Sequence, residues 1–338
     1  MLRIAWGALN TSEGHGYGHV STQLPIALTS AGATIVDSYD PAWDVAVVVS
    51  TPASWLTDRN GYREGVILHT MYEATPLPPH WVNNINRFEA VWVPSQWVKD
   101  LFLDQGVTRP ILVAGYGIDP NLWRSHDRHG RTGPLKVVIW GDSLFSRKRV
   151  WDAIEAFRLA DIPDATLEVK LSGLLDLGMM GVLDSGAGTN TLPVNHIRII
   201  AERWSHERLV NWLHEADIGI YLSGGEGFGL MPLQMMATGL PVICPVHTGM
   251  AAYLDDATSL FVPSLLGPAF EVYDHPAHHF VPDVDAAAHQ LCWAAEHREQ
   301  AYMIGDRASI RARRFTWDKA GVDALSVLHS YYHQPHNG

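Results

Sequence analysis

An apolar strand, a glycine-rich turn and the start of a helix follow one another without a gap between Asp217 and Gly239, and no other stretch of this chain constrains its fold so tightly. Asp217-Ile218-Gly219-Ile220-Tyr221-Leu222 reads as a buried strand. Gly224, Gly225, Gly227 and Gly229 then surround one carboxylate, Glu226. From Leu230 the pattern turns helical, with Pro232 in the first turn, where its missing N–H costs nothing, and Gly239 as the stop. Bare amides at a helix start, aided by the helix dipole, make an anion site. Glu226 repels an anion, so it is placed instead to accept hydrogen bonds from hydroxyl groups beside it. Phosphate next to hydroxyls describes a sugar nucleotide.

The rest of the chain offers a frame for such a site. Its 338 residues suit two domains better than one, and 47% hydrophobic content is ample for packed cores. No run of about 18 apolar residues is present, so no integral membrane contact is expected. Leu2-Arg3-Ile4-Ala5-Trp6 reads as a first strand rather than a signal peptide. The two cysteines, Cys244 and Cys292, sit in apolar surroundings, which reads as buried free thiols in a cytoplasmic protein. A net charge of −12 argues against a general nucleic-acid coat, though not against a local basic cleft. The 13 tryptophans fill cores, with some available to stack on a sugar or a base.

Short apolar strands alternate with helical segments in both halves. Strands are expected at residues 2–6, 45–50, 66–70, 91–94 and 111–114, and after a polar stretch at 135–141, 167–171, 197–201, 218–222, 241–244 and 260–262. Such runs suit parallel sheets covered on both faces. Ser95 reads as an N-cap, followed by a stripe of Trp97, Val98, Leu101 and Phe102, with Gly106 as the stop. The reading is an α/β chain of two Rossmann-like, doubly wound parallel-sheet domains facing across a cleft. Residues 1–120 form the first, acceptor-side domain, 121–134 the linker, 135–314 the second, donor domain, and 315–338 a closing helix.

The segment Glu226-Gly227-Phe228-Gly229-Leu230, continuing through Gln234-Met235-Met236-Ala237 to Gly239-Leu240-Pro241-Val242, resembles the donor motif of the retaining family-4 glycosyltransferases, which have the GT-B fold. Further segments are similar to that family: Val93-Pro94-Ser95-Gln96-Trp97-Val98-Lys99, Gly117-Ile118-Asp119, Arg147-Lys148 before Ala153-Ile154-Glu155-Ala156-Phe157, and Phe315-Thr316-Trp317 ahead of the last helix. The resemblance implies that Glu226 contacts donor sugar hydroxyls and that Gln234, in place of the family's second Glu, holds the ribose. It also implies a metal-independent, retaining reaction with no cofactor beyond the nucleotide-sugar donor, and a last helix that crosses back onto the first domain.

Departing diphosphate needs fixed cations or dipoles. Lys148, seven residues after Gly141 as in the family pattern, is the expected phosphate cation; Asp142 stands where the family has Arg, and Arg147 is the nearest substitute. Gly227, Phe228, Gly229 and Leu230 offer the amides. The loop Glu13-Gly14-His15-Gly16-Tyr17-Gly18-His19 resembles the family's first-domain glycine loop, so Gly16 and Gly18 are expected over the donor, ahead of a helix at 21–28. Tyr72 occupies the position where many family members carry a cleft histidine. Glu73 beside it is expected to face the cleft and orient the acceptor or take its proton. His69 reads as a buried, hydrogen-bonded histidine. His275-Pro276-Ala277-His278-His279 lacks ligands at structural metal-site spacing and reads as a surface loop. Residues 173–195 read as a lid or insertion.

The acceptor stays open: a small molecule, a glycan or a modified nucleic acid. Two alternatives also stand. One is a sugar-nucleotide-binding protein without transferase activity. The other is a transferase acting on a hydroxymethylated base, with the arginine-rich linker and exposed tryptophans on the strand.

Overall fold

The computed structural model describes residues 1–8, 16–36, 42–52, 65–144, 146–172, 191–194, 196–269 and 275–333. Two sheets carry the architecture. The first comprises β1 (Arg3–Ala8), β2 (Thr34–Val36), β3 (Val45–Val49), β4 (Val66–His69), β5 (Ala90–Val93) and β6 (Ile111–Val113), in the order β2-β1-β3-β4-β5-β6, every pair parallel. The valine-rich β3 and β5 are buried along their whole length, as strands covered on both faces must be. Helices α1 (Gly16–Ser30), α2 (Pro79–Ile85) and α3 (Gln96–Asp104) flank it. Ser95 caps α3, its Oγ accepting from Val98 N at 3.4 Å.

The second sheet holds β7 (Lys136–Gly141), β8 (Thr166–Leu171), β9 (Thr191–Val194), β10 (Ile197–Ala201), β11 (Ile218–Ile220), β12 (Val242–Cys244) and β13 (Leu260–Phe261). The order is β13-β12-β11-β7-β8-β10-β9, and only the edge strand β9 runs antiparallel to its neighbour. Helices α4 (Val150–Ala160), α5 (His206–Glu215), α6 (Leu230–Ala237), α7 (Val284–Glu296) and α8 (Arg298–Ala312) accompany it. Strand β7 has β8 on one side and β11 on the other. Connections therefore diverge at the carboxyl ends of β7 and β11, which opens a crevice there. The loops carrying Arg147-Lys148 and Glu226 both leave from those ends.

Helix α9 (Trp317–Tyr332) lies against α1 of the first sheet. The approach is close: a Cβ on Gly321 would stand 2.2 Å from the Ala27 carbonyl oxygen. The chain returns through a backbone bridge, with Ile118 N donating to Phe315 O at 2.9 Å and Trp317 N to Ile118 O at 3.2 Å. A Cβ on Gly117 would be 2.1 Å from the Thr316 carbonyl carbon, so glycine is required at this crossover. Thr316 caps α9 through Lys319 N.

The linker arginines are not all turned to solvent, as contact with a nucleic-acid strand would need. Arg128 is 2% exposed and donates to the carbonyls of Ala216 (2.8 Å), Leu213 (2.7 Å), Thr238 (2.8 Å) and His126 (3.1 Å). Arg131 donates to His214 O at 2.6 Å. The two guanidinium groups thus satisfy orphan carbonyls at the ends of α5 and α6, where the dipoles favour a cation. Arg128→Lys keeps the charge and loses the planar fork. It is expected to lower unfolding free energy by about 2 kcal/mol in urea titrations.

Strand β15 (His278–Pro282) pairs with β14 (Ser264–Pro268) as an antiparallel hairpin. The His275–His279 segment is therefore not a surface loop. His278 makes a β-bridge to Thr75 of the first domain, and His279 is 1% exposed. The hairpin strands carry proline, glycine and histidine, which hid them from a reading based on apolar runs. Residues 173–190 and 195 lie outside the described residues, and only β9 represents the expected lid. Among the described residues no helix is long and apolar enough to cross a membrane.

Candidate functional site

Glu226 is the centre of a dense polar knot. Its Oε1 accepts from Lys148 Nζ at 2.6 Å, Tyr221 OH at 2.7 Å and Ser223 Oγ at 2.7 Å, and pairs with Arg147 at 2.9 Å. Burial works to raise its pKa, yet the charges of Arg147 and Lys148 and the bonds from Lys148 and Tyr221 outweigh it and hold the carboxylate at about 2. Burial and the Glu226 charge push the Tyr221 phenol upward, so it stays a donor. Oε2 has no partner among the described residues and remains able to accept from a ligand. The fixed oxygen orients the free one.

Around the knot the loop backbone is tightly placed. Glu226 N donates to Thr248 Oγ1 at 3.0 Å and Gly249 N to Glu226 O at 2.8 Å. Gly229 takes φ +90° as the residue before α6, a left-handed conformation suited to glycine. Among the described residues, the backbone amides of 227–230 donate no hydrogen bond. They stand at the start of α6, where unpaired donors favour an anion. Gln234 is buried one turn further along α6.

The first domain reaches this loop directly. Ser95 Oγ donates to Gly227 O at 2.7 Å, and Phe228 packs its ring against Tyr116 at 5.2 Å. Glu73 is half-buried, and its Oε1 lies 3.5 Å from Arg147 Nη2. Arg147 also donates to Gly225 O. Lys148 and Arg147 thus pair with Glu226 inside the second domain, and Arg147 also reaches Glu73 of the first domain across the crevice.

The other expected residues fall as follows. Tyr72 does not line the crevice. Its ring is fully buried against Trp81, with centroids 4.9 Å apart, so it belongs to the first domain's core. His69 is buried, bonded to Trp92 O at 3.0 Å and Tyr116 OH at 2.9 Å. Gly16 and Gly18 are not in a loop but in the first turn of α1, which starts earlier than the 21–28 pattern suggests; residues 13–15 lie outside the described residues. Tyr17 between them bonds Thr70 Oγ1 and Met71 O, each at 3.3 Å. Asp142 structures its own loop, accepting from Ser143 N at 2.8 Å and Ser146 Oγ at 2.7 Å. Sequence reasoning missed Tyr221, Ser223 and Thr248. Tyr221 and Ser223 had a signal, since they flank the strand end just before the glycines. Among the described residues no group of three or more His, Cys, Asp or Glu is placed to hold a metal.

Several histidines here are held neutral. Burial lowers His19, His69, His247 and His279 from 6.5 to about 4 in each case. The unfolded chain then binds more protons than the folded one between those values, so stability rises with pH there and falls on acidification. Tm is expected to drop continuously from pH 6.5 to pH 4. A flat profile in calorimetry across that window would contradict these environments.

Comparison with known proteins places this geometry. A family model described as "Family 4 Glycosyltransferase in conflict systems" matches residues 103–323. D-inositol 3-phosphate glycosyltransferase of Streptomyces griseus is 27% identical over 121 residues, 36% of this chain and 22% of that protein. The enzyme of the same name from Arthrobacter sp. (strain FB24) is 25% identical over 173 residues, 50% of this chain and 36% of its own. The matched stretches thus span well under half the length of these curated relatives. The structure of sucrose-phosphate synthase from Thermosynechococcus elongatus superimposes with a TM-score of 0.70 over 98% of this chain and 99% of that one, at 13% identity, a likeness of fold. The two-sheet architecture is the GT-B fold, and the chain belongs to the family-4 glycosyltransferases of the conflict-system type.

Proposed function

We propose that the protein is a retaining glycosyltransferase that moves a sugar from a nucleotide-diphosphate sugar to an acceptor hydroxyl. The observation that carries this reading is Glu226. One of its oxygens is fixed by Lys148, Tyr221, Ser223 and Arg147, while the other, and the amides of 227–230 on the same loop, accept and donate no hydrogen bond among the described residues. A sugar hydroxyl fits the open oxygen, and a diphosphate fits the amides.

In this scheme Lys148 and Arg147 turn from Glu226 toward the diphosphate as its negative charge grows, the electrostatic help that departure requires. Arg147 supplies the second cation that Asp142 does not. Gln234 holds the ribose, and Gly16 and Gly18 let the start of α1 come near the donor. The acceptor hydroxyl attacks from the leaving-group face, and a diphosphate oxygen takes its proton. Glu73, across the crevice, orients the acceptor, while buried Tyr72 supports Glu73 without touching substrate. The reaction as proposed uses no metal and no cofactor. The Ser95–Gly227 and Glu73–Arg147 contacts keep water from the donor when the domains are together.

A panel of UDP-, GDP-, ADP- and dTDP-sugars read by thermal shift tests the donor site, since a ligand that binds the folded state raises Tm by mass action. One nucleotide class is expected to stabilise the chain, with slow donor hydrolysis alongside. Stabilisation with no hydrolysis or transfer across all donors and acceptors would favour a nucleotide-sugar-binding role instead.

A further inference from the structure

The hairpin β14–β15 brings a second group of polar side chains to the donor loop. Strand β15 is anchored on both sides of the crevice. Thr75 N donates to His278 O at 3.1 Å, His278 N donates to Thr75 O at 2.6 Å, and Phe280 N donates to Gly224 O at 2.8 Å. His279, between those anchors, is turned toward Gly224 and is 1% exposed. Neither of its ring nitrogens has a partner among the described residues. His247 is buried and stacked on Phe280, ring centroids 4.3 Å apart. Its Nδ1 contacts Thr248 Oγ1 at 3.2 Å, and its Nε2 is without a partner among the described residues. A Thr248 hydroxyl that donates to Nδ1 leaves the proton on Nε2.

Arg149 completes the group. Its Nη1 is held by Asp152 Oδ2 at 2.9 Å, which leaves Nε buried and unpaired among the described residues. The point where a Cβ on Gly224 would lie is 3.2 Å from Arg149 Nε and 3.1 Å from His279 Cβ. The nearest atom to that point is the Phe280 carbonyl oxygen at 2.7 Å, so glycine at 224 lets β15 approach the loop and brings Arg149 Nε and His279 to the same side of it. Buried donors without acceptors are rare, and a cluster of them marks a place where a ligand atom belongs.

We propose that Arg149, His247 and His279 form a pocket for an oxyanion, a carboxylate or a phosphate group, carried either by the transferred sugar or by the acceptor. Arg149 Nε and a ring nitrogen of His279, with His247 Nε2 as a third unpartnered donor on the segment stacked against β15, suit an oxyanion's several lone pairs better than a single hydroxyl oxygen. The field is favourable too. Burial, then the Arg147 and Arg149 charges, hold the His279 ring deprotonated, and only Glu226 nearby opposes them. Burial penalises a charge of either sign, so it is the two guanidinium groups that favour a negative group here. The inference rests on the donor-site reading given above, because it places the pocket beside the donor sugar.

The test uses the full chain. Calorimetric titration with UDP, GDP, ADP and dTDP first identifies the base. UDP-glucose is then compared with UDP-glucuronate, or the matching neutral and uronate pair on the base that binds. Glucose is compared with glucose 6-phosphate as acceptor by KM. The expected result is a preference of about tenfold or more for the charged member of one pair, and the pair that shows it identifies the source of the anion. His279→Phe and Arg149→Gln are each expected to erase that preference and to leave the nucleoside diphosphate Kd within about twofold. Equal handling of both members in both pairs overturns the pocket and leaves the donor site standing. Variants that weaken the bare nucleoside diphosphate as much as the charged substrate also overturn it. Absence of any nucleotide binding overturns the donor-site reading, and the pocket with it.

Discussion

Glu226→Gln is expected to reduce transfer by about a thousandfold or more, roughly 4 kcal/mol of barrier, while nucleoside diphosphate binds as well as before or better. The two effects have opposite signs for one reason. Lys148 and Arg147 pair with Glu226 Oε1 at 2.6 and 2.9 Å. Removing the negative charge frees both for phosphate. The same change removes the charged acceptor for the sugar hydroxyl and lets the two cations drift. Isothermal titration with diphosphate and with sugar nucleotide separates the contributions: the sugar's share of affinity should vanish and the diphosphate's should not. With a carboxylate held at about 2, Glu226 stays ionised through the whole physiological range, so its titration should leave no trace in the pH profile above about pH 4. Transfer by the Gln variant within tenfold of the wild type would place the donor sugar elsewhere.

Gly225→Ala is expected to cost about a hundredfold in turnover without unfolding either domain. A Cβ at this position would lie 2.0 Å from the backbone oxygen of Glu73. One atom belongs to the Glu226 loop and the other to the first domain, and neither is a flexible side-chain end. The methyl group acts as a wedge between domains. It separates Glu73 from Arg147 and disturbs the Arg147 bond to Gly225 O. Small-angle scattering should show a larger radius of gyration, with an urea midpoint close to the wild type. Unchanged scattering together with full activity would mean that the observed domain contact has no part in turnover.

Much of this molecule was legible in its residues. The valine-rich runs at 45–49 and 90–93 could only be covered strands, and the strands seen there match to within a residue or two. The strand–glycine loop–helix unit around Glu226 was legible for a stronger reason: its parts are local features and sit next to each other in sequence. What escaped depends on contacts over long distances. Tyr72 and Glu73 are neighbours in sequence, yet one enters the core against Trp81 and the other meets Arg147, and only the packing of the first sheet decides which. The anchoring role of Arg128 inside the 121–134 linker was not readable because its four carbonyl acceptors are supplied mainly by helix ends about ninety and a hundred and ten residues away. The hairpin strands, with Pro268, Gly267 and Pro282 in them, are poor strand sequences that persist because Thr75 and Gly224 supply hydrogen bonds from outside.

Helix α9 sets the order in which the molecule can be completed during synthesis. It covers α1, bridges to Ile118 and reaches Glu89 O through Tyr331 OH at 3.3 Å, yet residues 317–332 are translated only after the whole of the second sheet. The first domain is therefore discontinuous in the gene. A ribosome holding residues up to 314 presents an unsealed first domain, with the apolar flank of α1 bare beside Ala27, next to a second domain that already has all of its strands. For this chain the usual expectation that the earlier domain settles first is reversed, and the first domain is the one that waits.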